Sequence, residues 1–214
     1  MKGKIIVKKA FIIIPVALLF ITGCAKKYTP HILWEIQTKG KTAQVQFTFQ
    51  NNVIVTAGEY VDYGSPNHFI YSLEAQSGKI VWLFDIGKGV IIQVFSLKNN
   101  VIFIETTDNK KILLNAVTGK VLPNGFSSVP ERINRNHVFF GNPCFSEGGK
   151  IRENIPRTIF CKDKKTGKTL WSYIVPRINH VYEPDNVDFS FTVLGNKVFI
   201  GQYNGKVTCL EIRN

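Results

Sequence analysis

The sequence predicts an all-β fold of four repeated units, each built from four antiparallel strands. Three observations predict it. First, YSLEAQSGKIVW (71–82), ILLNAVTGKVLP (112–123) and FCKDKKTGKTLW (160–171) share one pattern. Each runs through an acid or amide to a Ser/Thr-Gly-Lys turn and then to apolar residues. Second, a polar, Asn-led turn and a β-rich run precede each unit: NNVIVTAG (51–58), NNVIFIET (99–106), NHVFFGN (136–142) and NKVFIGQ (196–202). Self-similarity at such a period marks a repeat architecture. Third, sixteen Phe against one Met favour strands over a Met-lined helical groove.

The first element is an address. MKGKIIVKKA (1–10) is basic, and FIIIPVALLFI (11–21) is an apolar run of eleven. A membrane-spanning helix needs about 20 apolar residues, so the run reads as a secretory signal. Pro15 inside it is a further poor fit to a membrane helix. Ile21-Thr22-Gly23-Cys24 resembles a bacterial lipobox, which implies cleavage before Cys24 and acylation of its sulfur, palmitate included. Several acyl chains on one residue anchor stably where one chain binds marginally. Ala25 is not the Asp that resembles an inner-membrane retention signal, so the expected location is the outer membrane, facing the periplasm. The expected organisation is a signal peptide at 1–23, a lipidated Cys and tether at 24–30, and one domain at 31–214.

The repeats follow the tether. Gly78, Gly119 and Gly167 mark the hairpin turns, because glycine supplies positive φ without steric cost. A last inner unit, NGKVTCLEI (204–212), stops before its own Gly-Lys-Trp strand. HILWEIQ (31–37) looks like that missing strand, so the N-terminal segment is expected to pair with 206–212 and close the last unit. Such closure removes an edge that invites aggregation. Inner strands are expected near 43–49, 90–97, 128–135 and 187–194.

These units resemble the PQQ-like, or quinoprotein-like, β-propeller repeat, "V-x-V-G…G-K-x-x-x-L-D-x-x-T-G-K-x-x-W", over essentially all of 31–214. The resemblance implies a small propeller of four blades, closed by the N-terminal strand joining the last blade. Trp34, Trp82 and Trp171 fall in the family's Trp column, where the ring seals one blade against the next. Pro123 holds that column in blade two, which implies a degraded outer strand. Glu74, Asn115, Asp163 and Glu211 form an acid column expected to bond turn backbone. Ser72, Leu113, Cys161 and Cys209 form a small-residue column with a packing role.

Composition narrows the function. Lys and Arg number 27 against 15 Asp and Glu. Four lysines fall in 1–23, which holds no acid, leaving 23 basic against 15 acidic residues. That excess of +8 suits an acidic protein or anionic headgroups. No basic–aromatic stripe points to nucleic acid. No Cys/His cluster has zinc spacing, no nucleophile elbow is present, and neither GxGxxG nor a P-loop occurs. No cofactor, metal site or catalytic residue is assigned. In the repeat register Cys161 is expected to face Phe140, too far from Cys144 for a disulfide, so Cys144, Cys161 and Cys209 are expected to be free thiols.

Three long stretches, 57–68, 142–157 and 177–187, are expected to project from one face, as loop insertions on repeat scaffolds do. Tyr60, Tyr63 and Tyr182 are candidate aromatic anchors for a protein partner, with Asp62, Arg152, Arg157 and His180 beside them. His68 and His180, with Asp62, Glu183 or Asp185, offer a metal or acid–base alternative, against the ordinary outcome of exposed loop histidines.

The expected role is a non-catalytic, lipid-anchored protein-binding module of the envelope, monomeric with a dimer as the alternative. Two versions resemble known families: the outer-membrane-protein assembly propeller lipoprotein, and an immunity lipoprotein that neutralises a delivered toxin. The first usually has twice as many blades. A quinone-dependent dehydrogenase is the enzyme alternative; its resemblance is confined to the repeat, since those enzymes often use adjacent cysteines, absent here. A truncated paralogue without a partner is the remaining reading.

Overall fold

A computed structural model describes residues 28–58, 67–88, 90, 92–123, 137–147, 157–176 and 189–214. Their regular elements are all strands. They are β1 (Thr29–Gln37), β2 (Thr42–Phe49), β3 (Asn52–Gly58), β4 (Asn67–Glu74) and β5 (Ile80–Lys88). Next come β6 (Ile92–Lys98), β7 (Val101–Thr106), β8 (Lys111–Asn115), β9 (Val138–Phe139) and β10 (Asn142–Glu147). The last are β11 (Thr158–Lys162), β12 (Thr169–Ile174), β13 (Ser190–Leu194), β14 (Lys197–Gly201) and β15 (Lys206–Arg213).

The strands form four antiparallel sheets, the blades: β2-β3-β4-β5, β6-β7-β8, β9-β10-β11-β12, and β13-β14-β15-β1. The expected four-blade architecture is present, and the N-terminal strand completes the last blade. β1 pairs along β15 from Thr29↔Arg213 to Gln37↔Lys206. Glu35 secures this seam, with Lys206 Nζ at 3.2 Å and Thr208 Oγ1 donating at 2.8 Å.

One expectation is met and one is corrected. Among the described residues blade two has three strands, with the degraded outer strand that Pro123 implied. Among the described residues that follow β8, only the isolated bridge Leu114↔Val121 forms, just before Pro123, which has no N–H to continue a ladder. Among the described residues the innermost strand of blade three is β9; the stretch near 128–135, where an inner strand was expected, lies outside them. Phe140 and Gly141, both at positive φ (45° and 81°), turn the chain from β9 into β10. Residues 138–141 are therefore a strand and a turn rather than part of a second strand. The register shifts accordingly: Cys161 faces Cys144, not Phe140.

Local chemistry explains the hairpins. The first-to-second turns use Gln50 (φ 53°), Asn99 and Asn100 (49°, 64°), Phe140 and Gly141, and Gly195 (60°). Asn and Gly tolerate this left-handed region; Phe rarely adopts it. The third-to-fourth turns use Gly78, Gly119 and Gly167, at φ 73°, 69° and 69°. Two members of the acid column, Asn115 and Asp163, bond turn backbone as expected. Asn115 Oδ1 accepts from the Val117 and Thr118 N–H groups at 3.0 Å each. Asp163 Oδ1 accepts from the Lys165 and Thr166 N–H groups at 3.0 and 2.7 Å. Ser77 Oγ donates to the Glu74 carboxylate. Glu211, which no such turn follows, pairs instead with Arg213 at 2.7 Å.

Apolar clusters seal neighbouring blades. Blades four and one share Phe199, Val207 and Cys209 with Val53, Val55, Tyr71 and Leu73. Blades one and two share Ile54, Ile70 and Trp82 with Ile102, Ile104 and Leu114. Blades three and four share Phe139, Cys144, Cys161 and Trp171 with Val198, Ile200 and Leu210. Trp34 and Trp82 seal their junctions, each lying over the next blade's turn glycine. A Cβ on Gly78 would stand 2.7 Å from the Trp34 ring, and one on Gly119 2.7 Å from the Trp82 ring. Gly167 has no such cover, because Pro123 stands in the Trp column before it.

Candidate protein-binding face

In an antiparallel blade, the second-to-third connection and the links between blades leave from one end. The described residues place the anchors of the three candidate loops accordingly. Gly58 and Asn67 bracket 59–66, and Gly58↔His68 closes the β3–β4 ladder there. Thr42 Oγ1 donates to the Gly58 carbonyl at 2.8 Å, tying the start of β2 to this end. Ala43 N–H donates to the Gln202 carbonyl at 2.8 Å, and Val45 N–H to Ser190 Oγ at 2.6 Å. Ser190, at the entry to blade four, therefore sits beside blade one.

Arg157 joins the other two loops. It ends the connection from β10, and its guanidinium carbon lies 5.2 Å from the Phe189 ring centre. Phe189 ends the link between blades three and four. The Arg157 carbonyl accepts from Val175 N–H at 2.9 Å, just where that link begins. Arg157, the first described residue after 148–156, thus touches described residues on both sides of 177–188. A cation over an aromatic face contributes about 0.5–1 kcal/mol at an exposed site. The sequence singled out Arg157 as a charged partner but did not anticipate Phe189 beneath it.

Arg157 is the one candidate contact residue within the described regions. Tyr60, Asp62, Tyr63, Arg152, His180 and Tyr182 lie outside them, as does the lipidation candidate Cys24. The strand β10 shortens the blade-three loop from 142–157 to 148–156. His180, Glu183, Asp185 and Asp62, the partners considered for His68, are also outside. Among the described residues no group of three or more His, Cys, Asp or Glu could hold a metal ion.

His68 stands at the base of the 59–66 connection. Burial holds its pKa below 6.5, and its Nε2 is buried without a hydrogen-bond partner. A Cβ on Gly58 would lie 2.6 Å from His68 Nδ1, so glycine there lets the imidazole pack on backbone. Nearby, Tyr71 OH accepts from Lys39 N–H at 2.9 Å, and burial pushes its phenol pKa up. Lys39 Nζ covers the Phe69 ring at 5.5 Å. The arrangement packs polar groups against aromatic faces at the mouth of blade one.

Comparisons with known proteins follow the same line. The family model described as outer membrane protein assembly factor BamB matches residues 26–214. No curated protein matches the chain. Among solved structures, the computationally designed Ika4 protein is 17% identical, covering 82% of this chain and 94% of its own, at TM-score 0.30. The glutaminyl cyclase of Myxococcus xanthus is 10% identical over 88% and 99%, at TM-score 0.39. BamB of Moraxella catarrhalis is 13% identical over 85% of this chain, which spans 64% of that protein's length, at TM-score 0.24. Superpositions this loose transfer no site geometry. The family match covers the whole repeat region, and the chain belongs to the family of outer membrane protein assembly factor BamB.

Proposed function

We propose that this chain is a lipid-anchored, non-catalytic β-propeller that binds a protein partner in the cell envelope. The observation that carries this reading is the family match across 26–214, every blade included. Three features support it. Ile21-Thr22-Gly23-Cys24 supplies an acylation site ahead of a short tether. Asn115 and Asp163, two of the four acid-column side chains, are engaged by turn backbone, so they support architecture rather than chemistry. The anchors of all three long connections gather at one end, where Arg157 links two of them.

The family's description favours an assembly role at the outer membrane over toxin neutralisation. The test is affinity capture of the Cys24-anchored chain from envelope extracts, with the bound proteins identified by mass spectrometry. The expected result is recovery of barrel-assembly components, lost when 59–66 and 148–156 are replaced by short Gly-Ser links. Recovery of a single secreted effector would favour the immunity role. Recovery of no protein, or capture indifferent to both replacements, would contradict a partner bound at this end.

A further inference from the structure

Blade three places two thiols directly opposite each other. Cys144 on β10 pairs with Cys161 on β11, and Cys161 in turn pairs with Trp171 on β12. The equivalent positions elsewhere are Ile54–Ser72, Phe103–Leu113 and Phe199–Cys209. Blade three alone has cysteine at both. Directly opposed residues in an antiparallel pair have Cα atoms about 4.5–5.5 Å apart. Disulfides span Cα separations of about 4.4–6.8 Å. Both side chains lie on the same face, toward blade four. Their sulfurs also converge on one acceptor: Cys161 Sγ is 3.6 Å and Cys144 Sγ 3.9 Å from the Asn142 carbonyl oxygen.

We propose that Cys144 and Cys161 are a dithiol that closes to a cross-strand disulfide by exchange with a disulfide-bearing oxidant. Cys161 thiolate attacks one sulfur of the oxidant and breaks its S–S bond. The departing thiolate keeps the electron pair and takes up a proton. Cys144 then attacks the Cys161 sulfur, forming the Cys144–Cys161 bond and releasing the second oxidant thiol. Two cysteine thiols lose two electrons in all, the oxidant disulfide gains them, and the cysteine protons pass to the departing thiols.

The two thiols act on each other: a hydrogen bond from Cys144 lowers the Cys161 pKa and raises that of Cys144, which favours thiolate at Cys161. Both residues are buried, at 4% and 0% exposure, so exchange takes place during folding or through local opening. Among the described residues β10 is held on its inner side by the two-residue β9, paired at Asn142↔Phe139 and Pro143↔Val138, and by the bond from Cys144 N–H to the His137 carbonyl at 2.7 Å. Cys209 is excluded as a partner by position, since its sulfur lies 3.9 Å from the Ala75 carbonyl at the junction of blades four and one. The bridge clamps together the two strands that flank the 148–156 connection, just before Arg157.

The test uses the full chain, reduced, unfolded in urea and refolded in a buffer of reduced and oxidised glutathione. Acid quenching, alkylation under denaturing conditions and peptide mapping then count and locate the bridges. The expected result is one dominant bridge, Cys144–Cys161, with two fewer alkylated thiols and Cys209 fully alkylated. Cys209→Ser leaves the bridge unchanged; Cys144→Ser abolishes it. Alkylation of both Cys144 and Cys161 in most chains overturns the proposal. So does a dominant bridge to Cys209 or Cys24, or a glutathione adduct as the end state. Mapping the unsubstituted chain decides the matter even if a cysteine variant fails to fold.

Discussion

Trp34 Nε1 donates to the Ala75 carbonyl at 3.1 Å, tying the N-terminal strand to the blade it precedes. Trp82 repeats the bond with Ala116 at 3.1 Å, one junction further on. Trp171 occupies the same column but has a buried Nε1 without a partner. Its counterpart acceptor is the carbonyl of Ile212, the residue after Glu211. Ile212 lies within the β1–β15 ladder, opposite Pro30, instead of opening a turn. Splitting blade four between the two ends of the chain thus leaves one tryptophan without its bond.

This difference is measurable. Trp82→Phe removes a hydrogen bond and strands the Ala116 carbonyl, whereas Trp171→Phe removes an unpaired buried donor. Trp82→Phe should be the costlier change by about 1–2 kcal/mol in urea denaturation. Equal costs would mean that Trp171 has an acceptor after all.

Glycine turns provide a second contrast. Gly119→Ala must accept φ +69° and also push a Cβ to 2.7 Å from the Trp82 ring. Gly167→Ala faces a similar φ with nothing within 4 Å. The first should cost more than the second, which pays the backbone term of about 1–2 kcal/mol alone. Thermal or urea unfolding of both variants measures the gap.

His68 predicts a pH dependence. Its folded pKa lies below 6.5 because burial disfavours the charged ring. Above 6.5 the ring is neutral in both states and contributes nothing. As pH falls below 6.5 the unfolded chain takes up the proton first. Stability then declines until the lower folded pKa is reached. An NMR titration should place the His68 midpoint below 6.5, and His68→Gln should flatten this part of the stability profile.

The β1–β15 seam predicts dependence on the N-terminal strand. Deleting 28–37 exposes the β15 edge and opens the junction that Trp34 seals. The truncated chain should lose its cooperative unfolding transition and aggregate, as judged by size exclusion. A peptide covering 28–38, added in trans, should restore solubility. A truncated chain that stays folded and monomeric would contradict the role given to β1.

Much of this architecture was legible because its signals recur at fixed positions. Trp34 and Trp82, Gly78 and Gly119, and Asn115 and Asp163 each do the work their column implies. Pro123 correctly marked the weak outer strand of blade two. Blade three defeated the pattern because a Phe occupies a left-handed turn position. Aligning Asn136 with Asn51 and Asn99 misplaced the strand, whereas Gly141-Asn142-Pro143 was the turn signal that would have corrected it. That slip of four residues concealed the Cys144–Cys161 pair. The candidate site was legible only as loops, since a partner surface carries no periodicity to read. The Arg157–Phe189 contact joins residues 32 apart in sequence with no shared motif.

The central claim is that one end of the propeller binds a protein. The most direct measurement is photo-crosslinking in cells, with a crosslinking amino acid placed at Tyr63 or Tyr182, or at Asn99 in a turn at the opposite end. A discrete protein adduct is expected from Tyr63 and Tyr182 and none from Asn99. Adducts from Asn99 alone, or from none of the three positions, would contradict it.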